Sequence, residues 1–179
     1  MARIAREGIE AGALGFTTSR TMNHRTSKGE LTPTLTAEAD ELVGIARAIG
    51  KTGRGVLQGV SDFGDVDAEF ALFRRMAEES GRPLSFSLVQ VRGETWRRQL
   101  ELLAAANADG VAMTAQVAPR PVGLMLGLEC TLHPLLTTRV YREIAALPLA
   151  ERVAVMADPH FKERVLAADG PRDDGAKIG

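Results

Sequence analysis

Strand-like and helix-like stretches alternate along this 179-residue chain at intervals of roughly thirty residues, and that rhythm restricts its fold more than any other feature. A helix is expected over Ala2–Glu10, where Ile4, Ala5 and Ile9 can share a face and Gly12 can end it. Ala13–Thr18 follows as a strand. Thr36 is the expected N-cap of the next helix, with Glu38, Asp40 and Glu41 near its positive end and Leu42, Ile45, Ala46 and Ile49 as its apolar stripe. Gly55–Val60 reads as the second strand, and Asp65 as the cap of a helix carrying Val66, Phe70, Phe73 and Ala77. Leu84–Val89, a helix over Thr95–Asn107 with Trp96, Leu100 and Leu103 on one face, and a strand over Val111–Val117 complete the series. Such repetition builds right-handed βαβ units on a parallel sheet, so the expected class is α/β with about four parallel βα units.

Beyond Val117 the rhythm changes. Ala118-Pro119-Arg120-Pro121 forbids both a helix and a central strand. Helical pieces are expected over Thr138–Ala146, Leu149–Met156 and Pro159–Ala168, the last behind an Asp158 cap with proline at the first helical position. The polar, glycine-rich residues 170–179 read as a disordered tail after a domain spanning 1–169.

Charge excludes several classes of partner. Lys and Arg number 22 against 23 Asp and Glu, so nothing electrostatic points to nucleic acid or an anionic membrane. No apolar run approaches the ~20 residues of a membrane span, and charges interrupt any signal-like stretch at the N-terminus. A single cysteine, Cys130, cannot form an internal disulfide, which suits a reducing compartment and a cytoplasmic location.

The motif Gly44-Ile-Ala-Arg-Ala-Ile-Gly50-Lys51-Thr52 fits the phosphate-binding pattern G-x-x-x-x-G-K-[ST]. That chemistry needs a strand before the loop and a helix after it, so that amides converge on phosphate. Here the helix stripe comes first and a strand follows, and a nucleotide-binding reading is set aside. No zinc-type spacing occurs, and His24, His133 and His160 lie far apart. His133, before Pro134 in an apolar segment, reads as a structural hydrogen-bonder. Cys130 reads as a small apolar residue with no base beside it.

Ligands of parallel α/β proteins usually sit past the carboxyl ends of the strands. The end of the first strand brings Thr17, Thr18, Ser19 and Arg20 there, and the polar loop after it His24. The second strand adds Ser61 and Asp62, the third Gln90 and Arg92, and the fourth Gln116 and Arg120. Ser19, Arg20, His24, Gln116 and Arg120 are the candidate substrate contacts, an arginine being suited to a carboxylate.

The phrases GALGFTTSR, TPTLTAEADELVGIARAIG, AQVAPRPVGLMLGLECTLHPL and LPLAERVAVMADP resemble the N-acyl-D-amino-acid deacylases. These are D-aminoacylase-like members of the metal-dependent amidohydrolase superfamily, and the likeness runs from Ala2 to about Ala168. It implies a (β/α)8 barrel with a small β domain, and hydrolysis of an amide by metal-activated water, with an aspartate on the last strand in proton transfer. The four strands would then be roughly the fourth to seventh, making the chain a partial barrel. It would be a central fragment, with the family's His-x-His upstream and the aspartate downstream, an expectation that an internal start at Met1 would suit. Two of these strands should carry metal-binding histidines, but Val60 and Leu88 fall where those ligands are expected, and neither can coordinate. Either upstream ligands hold a reduced site or the chemistry has changed. The resemblance therefore implies zinc in the parent enzyme and none bound by this chain alone. The partner it implies is a small-molecule amide. Open barrel edges also leave room for a homo-oligomer, and a non-catalytic α/β binding or assembly module is the alternative function.

Overall fold

Every helix that touches the parallel sheet lies on the same side of it. The computed structural model describes residues 1–168 except 91, 92, 122, 124, 131, 132 and 137. The expected disordered tail, residues 170–179, lies outside the described residues. Chain contacts divide the protein into two units. The first comprises Met1–Thr21 with Pro33–Val122, and the second Met22–Thr32 with Gly123–Gly179.

In the first unit the elements run α1 (Ala2–Glu10), β1 (Gly15–Arg20), a 3₁₀ turn (Pro33–Thr36), α2 (Ala39–Gly50), β2 (Val56–Ser61), α3 (Val66–Ser80), β3 (Leu84–Ser87), α4 (Thr95–Ala108) and β4 (Met113–Gln116). The four strands are parallel and in sequential order, β1-β2-β3-β4. Right-handed crossovers between strands that always step the same way place their helices on one face. A doubly wound sheet would need the order to reverse. The fold is therefore α/β and a partial (β/α)8 barrel.

Strand side chains divide by parity. Phe16, Leu57, Leu84, Phe86, Leu88, Met113 and Ala115 point to the helices and join one core with Ile9, Leu42, Val43, Ile45, Ala46, Ile49, Phe70, Phe73, Met76, Ala77 and Ala106. At its centre Phe63, Phe70, Phe73 and Phe86 meet edge to face, with ring centroids 5.6–5.8 Å apart. Gly59 makes this possible, because a Cβ there would lie 2.4 Å from Cζ of Phe73.

Helix ends follow local chemistry. The Asp65 side chain accepts from the Ala68 amide, and Gly81 closes α3 at φ +62°. Thr36 is not the cap expected of it: its hydroxyl donates to the Pro33 carbonyl, and α2 starts later, behind Glu38. The P-loop-like residues Gly44 to Gly50 lie inside α2, with the strand after them. Gly50 packs so close to Ser80 that a Cβ would meet its carbonyl at 2.3 Å, leaving no loop to cradle phosphate.

In the second unit, α5 (Arg139–Arg142), α6 (Leu149–Met156) and α7 (Pro159–Ala167) surround Val140, Tyr141, Ile144 and Phe161. Thr138 and Asp158 cap α5 and α7 by accepting from Tyr141 and His160 amides. The first helix is shorter than expected, passing into turns after Arg142. Met22–Thr32 forms a small hairpin-like loop in which Arg25 and Leu31 bridge and Gly29 turns at φ +80°.

Replacing Gly59 by alanine should lower stability by about 1–3 kcal/mol through overpacking against Phe73. Urea denaturation would read this as a lower midpoint at unchanged slope; an unchanged midpoint would contradict the packing described.

Candidate functional site

The face of the sheet turned away from the helices is polar. Thr17, Gln58, Ser85 and Thr114 stand opposite one another across all four strands, and Ser19 pairs with Val60 and Ser87 with Gln116 one step toward the carboxyl ends. Thr17, Thr114 and Gln116 are exposed and the rest half-buried. Thr17 Oγ1 donates to Gln58 Oε1, and Gln58 Nε2 donates to the Gly59 carbonyl at 3.2 Å and reaches Ser87 Oγ at 3.5 Å. Apart from Val60, this band holds hydroxyls and carboxamides and no charged group, a set that can donate and accept toward a neutral polar ligand.

A different arrangement occupies the carboxyl ends of β1 and β2 on the helix side. Arg20 donates from Nε and Nη2 to the two carboxylate oxygens of Glu69, both at 2.8 Å, and from Nη1 to the Ala37 carbonyl at 2.6 Å. Ser61 Oγ donates to Glu69 Oε2 at 2.9 Å and accepts from the Phe63 amide at 3.0 Å. The pair is mostly buried, with side chains 17% and 19% exposed. Burial pushes the Glu69 carboxyl up, but the hydrogen bonds from Arg20 and Ser61 and the arginine charge outweigh it and leave the group below its usual range. The hydrogen bonds to Glu69, helped by the Glu69 and Glu38 charges, raise Arg20 against its own desolvation.

The structure thus separates the expected contacts. Ser19 and Gln116 share the open face. Arg20 points to the other face, and its fork is committed to Glu69 and Ala37, so it ties β1 to α3 and to the start of α2. Arg120 is exposed beyond β4 and donates to the Pro121 carbonyl at 3.1 Å. His24 is exposed in the loop that groups with the second unit. Gln90 is exposed, and Arg92 lies outside the described residues. Glu69, Ser85 and Thr114 were not among the expected contacts. For Ser85 and Thr114 the signal was the period-two run of Ser, Thr and Gln within β-strands, which marks one wet face; Glu69, on α3, had no such signal.

The two positions where histidine was expected also differ. Val60 faces the open side, across from Ser19. Leu88 is buried in the helix-side core, so a ligand there would point away from the open face. Among the described residues no group of three or more His, Cys, Asp or Glu comes together. The hydroxyls and carboxamides of the open face are poor zinc donors beside imidazole, carboxylate or thiolate. The residues present do not fit a zinc centre.

In the second unit His133 is buried, its ring edge-on to Tyr141 at 4.5 Å between centroids. Its Nδ1 has no hydrogen-bond partner among the described residues. Arg152 donates to the Tyr141 hydroxyl at 2.9 Å and the Leu128 carbonyl at 2.8 Å. Burial, with the Arg152 charge, lowers the His133 pKa. Cys130 is exposed instead of packed as a small apolar residue.

The Amidohydro_3 model, the amidohydrolase family, matches residues 1–171. The chain belongs to the amidohydrolase family, which is generally metal-dependent. No curated protein and no solved structure matches it.

Arg20→Ala should cost about 1–3 kcal/mol at neutral pH. Because the Glu69 pKa is depressed on folding, the pair's contribution is present above the ordinary value and lost as pH falls through the folded one. The stability gap between wild type and Arg20→Ala should accordingly be level from pH 8 to about 5 and narrow below about 4; a gap that stays constant in acid would contradict the ion pair. For His133 the neutral form is favoured by folding, so the second unit should lose stability as pH drops below about 6.5, levelling off at the folded value. His133→Phe should flatten that slope in thermal melts, and a melt of the wild-type protein insensitive to pH in this window would refute it.

Proposed function

We propose that the chain forms the substrate-contacting wall of an amidohydrolase barrel that cleaves the C–N bond of N-acyl amino acids or related amides. The observation that carries this reading is the uncharged donor and acceptor band Thr17, Gln58, Ser85, Ser87, Thr114 and Gln116 on the concave side expected of a barrel, in a chain of this family. A secondary amide offers one N–H and one C=O, which carboxamide and hydroxyl side chains complement without a charge. The D-aminoacylase-like branch is supported by the phrases around Gly15–Arg20 and Ala115–Leu135. Zinc is the metal that branch implies. The open face contributes substrate contact, and this chain alone neither holds zinc nor turns over substrate. A cytoplasmic setting is supported by the single unpaired cysteine, and among the described residues no helix is long and apolar enough to cross a membrane.

The test is binding and turnover measured on the same purified chain. Titration with an N-acetyl-D-amino acid should shift the side-chain amide signals of Gln58 and Gln116 in NMR spectra. Gln58→Leu should weaken binding about fivefold, the worth of one neutral hydrogen bond. Metal analysis after zinc loading and dialysis should find less than stoichiometric zinc, with no hydrolysis. Shifts absent from the open face would overturn the substrate reading and favour an assembly module; retained zinc with turnover would overturn the division of labour.

A further inference from the structure

We infer that Asp62 receives the N–H of the bound amide, so that the site takes secondary amides with the N–H toward the rim and the C=O toward the open-face band. This rests on the amide reading above and adds how that ligand lies and which residue selects it.

Strand pairing continues one step past the ends of β1 and β2. The Asp62 amide donates to the Arg20 carbonyl at 3.2 Å, which extends the ladder and sets Thr21 opposite Asp62. Side chains alternate between faces along a strand, so this rung follows Thr17 with Gln58 and Ser19 with Val60. The band on the strands is uncharged, and the rung just beyond it carries a carboxylate. It stands at the carboxyl ends, where parallel barrels place their chemistry.

Asp62 is exposed, yet its position is fixed from several sides. Thr21, only 3% exposed, donates from Oγ1 to Asp62 Oδ1 at 2.5 Å. The next residue, Phe63, has φ +48°, in the left-handed region that a bulky side chain rarely adopts. Its ring is buried edge-on against Phe73 and Phe86. Its amide donates to Ser61 Oγ at 3.0 Å, and that hydroxyl donates in turn to Glu69. Core packing and hydrogen bonds thus hold a strained turn, and the turn fixes the carboxylate beside it. Strain of this kind persists where its surroundings over-determine it, and it gathers at ligand-binding sites.

A carboxylate accepts hydrogen bonds and donates none, so the ligand group facing Asp62 is a donor. The donor of a secondary amide is its N–H. Its C=O then turns toward the band, where Ser87 and Gln116 can donate. Ser87 lies one strand across and two residues back, a backbone separation of roughly 8 Å at about 4.8 Å between strands and about 3.3 Å per residue. A trans amide with a hydrogen bond of about 2.9 Å at each end joins partners roughly 7–8 Å apart. Like charges repel, so a carboxylate on the ligand turns away from Asp62.

The amide N-acetyl-D-alanine and the ester O-acetyl-D-lactate share a carbonyl and a shape and differ in the N–H. In NMR titrations of both, the amide-over-ester affinity ratio should fall about tenfold from wild type to Asp62→Ala, the worth of a hydrogen bond to a charged group. Asp62→Asn, which keeps an oxygen for the Thr21 hydroxyl, should lower the ratio about threefold. Gln58→Leu, on the carbonyl side, should weaken both probes alike and leave the ratio where it was. Equal weakening of the two probes in the Asp62 variants, or a ratio that Asp62→Asn does not move, overturns the inference while the amide reading stands. If neither probe shifts the Gln58 and Gln116 signals of the wild type, the amide reading falls and takes this inference with it.

Discussion

The whole arrangement depends on the handedness of the crossovers between parallel strands. Because β1 to β4 step in one direction, right-handed connections leave the helices no choice of side. That single constraint splits every strand by parity. Residues of one parity must be apolar and fit under helices, which is where the four phenylalanines gather. Residues of the other parity are released from packing and are free to carry hydroxyls and carboxamides. Core and candidate site are two sides of the same few strands, and the site is polar because the core is elsewhere.

Much of this could be read in the chain before its structure. The strand and helix stretches were found nearly where they occur, since turn residues such as Gly81 and caps such as Asp65 punctuate them by local chemistry. The Thr36 cap failed because its hydroxyl had a nearer acceptor in the Pro33 carbonyl, a choice settled by backbone geometry that a pattern does not carry. Arg20 shows the same difficulty at the candidate site. Its place at a strand end was legible. Its direction was not, because the acceptor that turns it, Glu69, lies 49 residues away on α3. Between Ser87 and Leu88 one residue along the chain exchanges the open face for the core.

The division between Arg20 and the open-face band also clarifies the chemistry of the rim. A guanidinium facing the open side would make a carboxylate receptor, yet this one spends its donors holding β1 to α3. What remains on the open side of the strands is uncharged. The ligand selectivity such a face provides comes from hydrogen-bond geometry, and the charge chemistry of the family must be supplied by residues other than these.

The distribution of aromatic residues has a practical consequence. The chain has one tryptophan and one tyrosine. Trp96 packs against the first unit's core with the Arg97 guanidinium 4.4 Å from its ring, while Tyr141 sits in the second unit's core beside Arg152. Each unit thus carries a private optical label without any engineering. Selective excitation of the indole follows the sheet and its helices, and phenol absorbance follows the small helical cluster, so a single unfolding experiment can tell whether the two melt together or in turn.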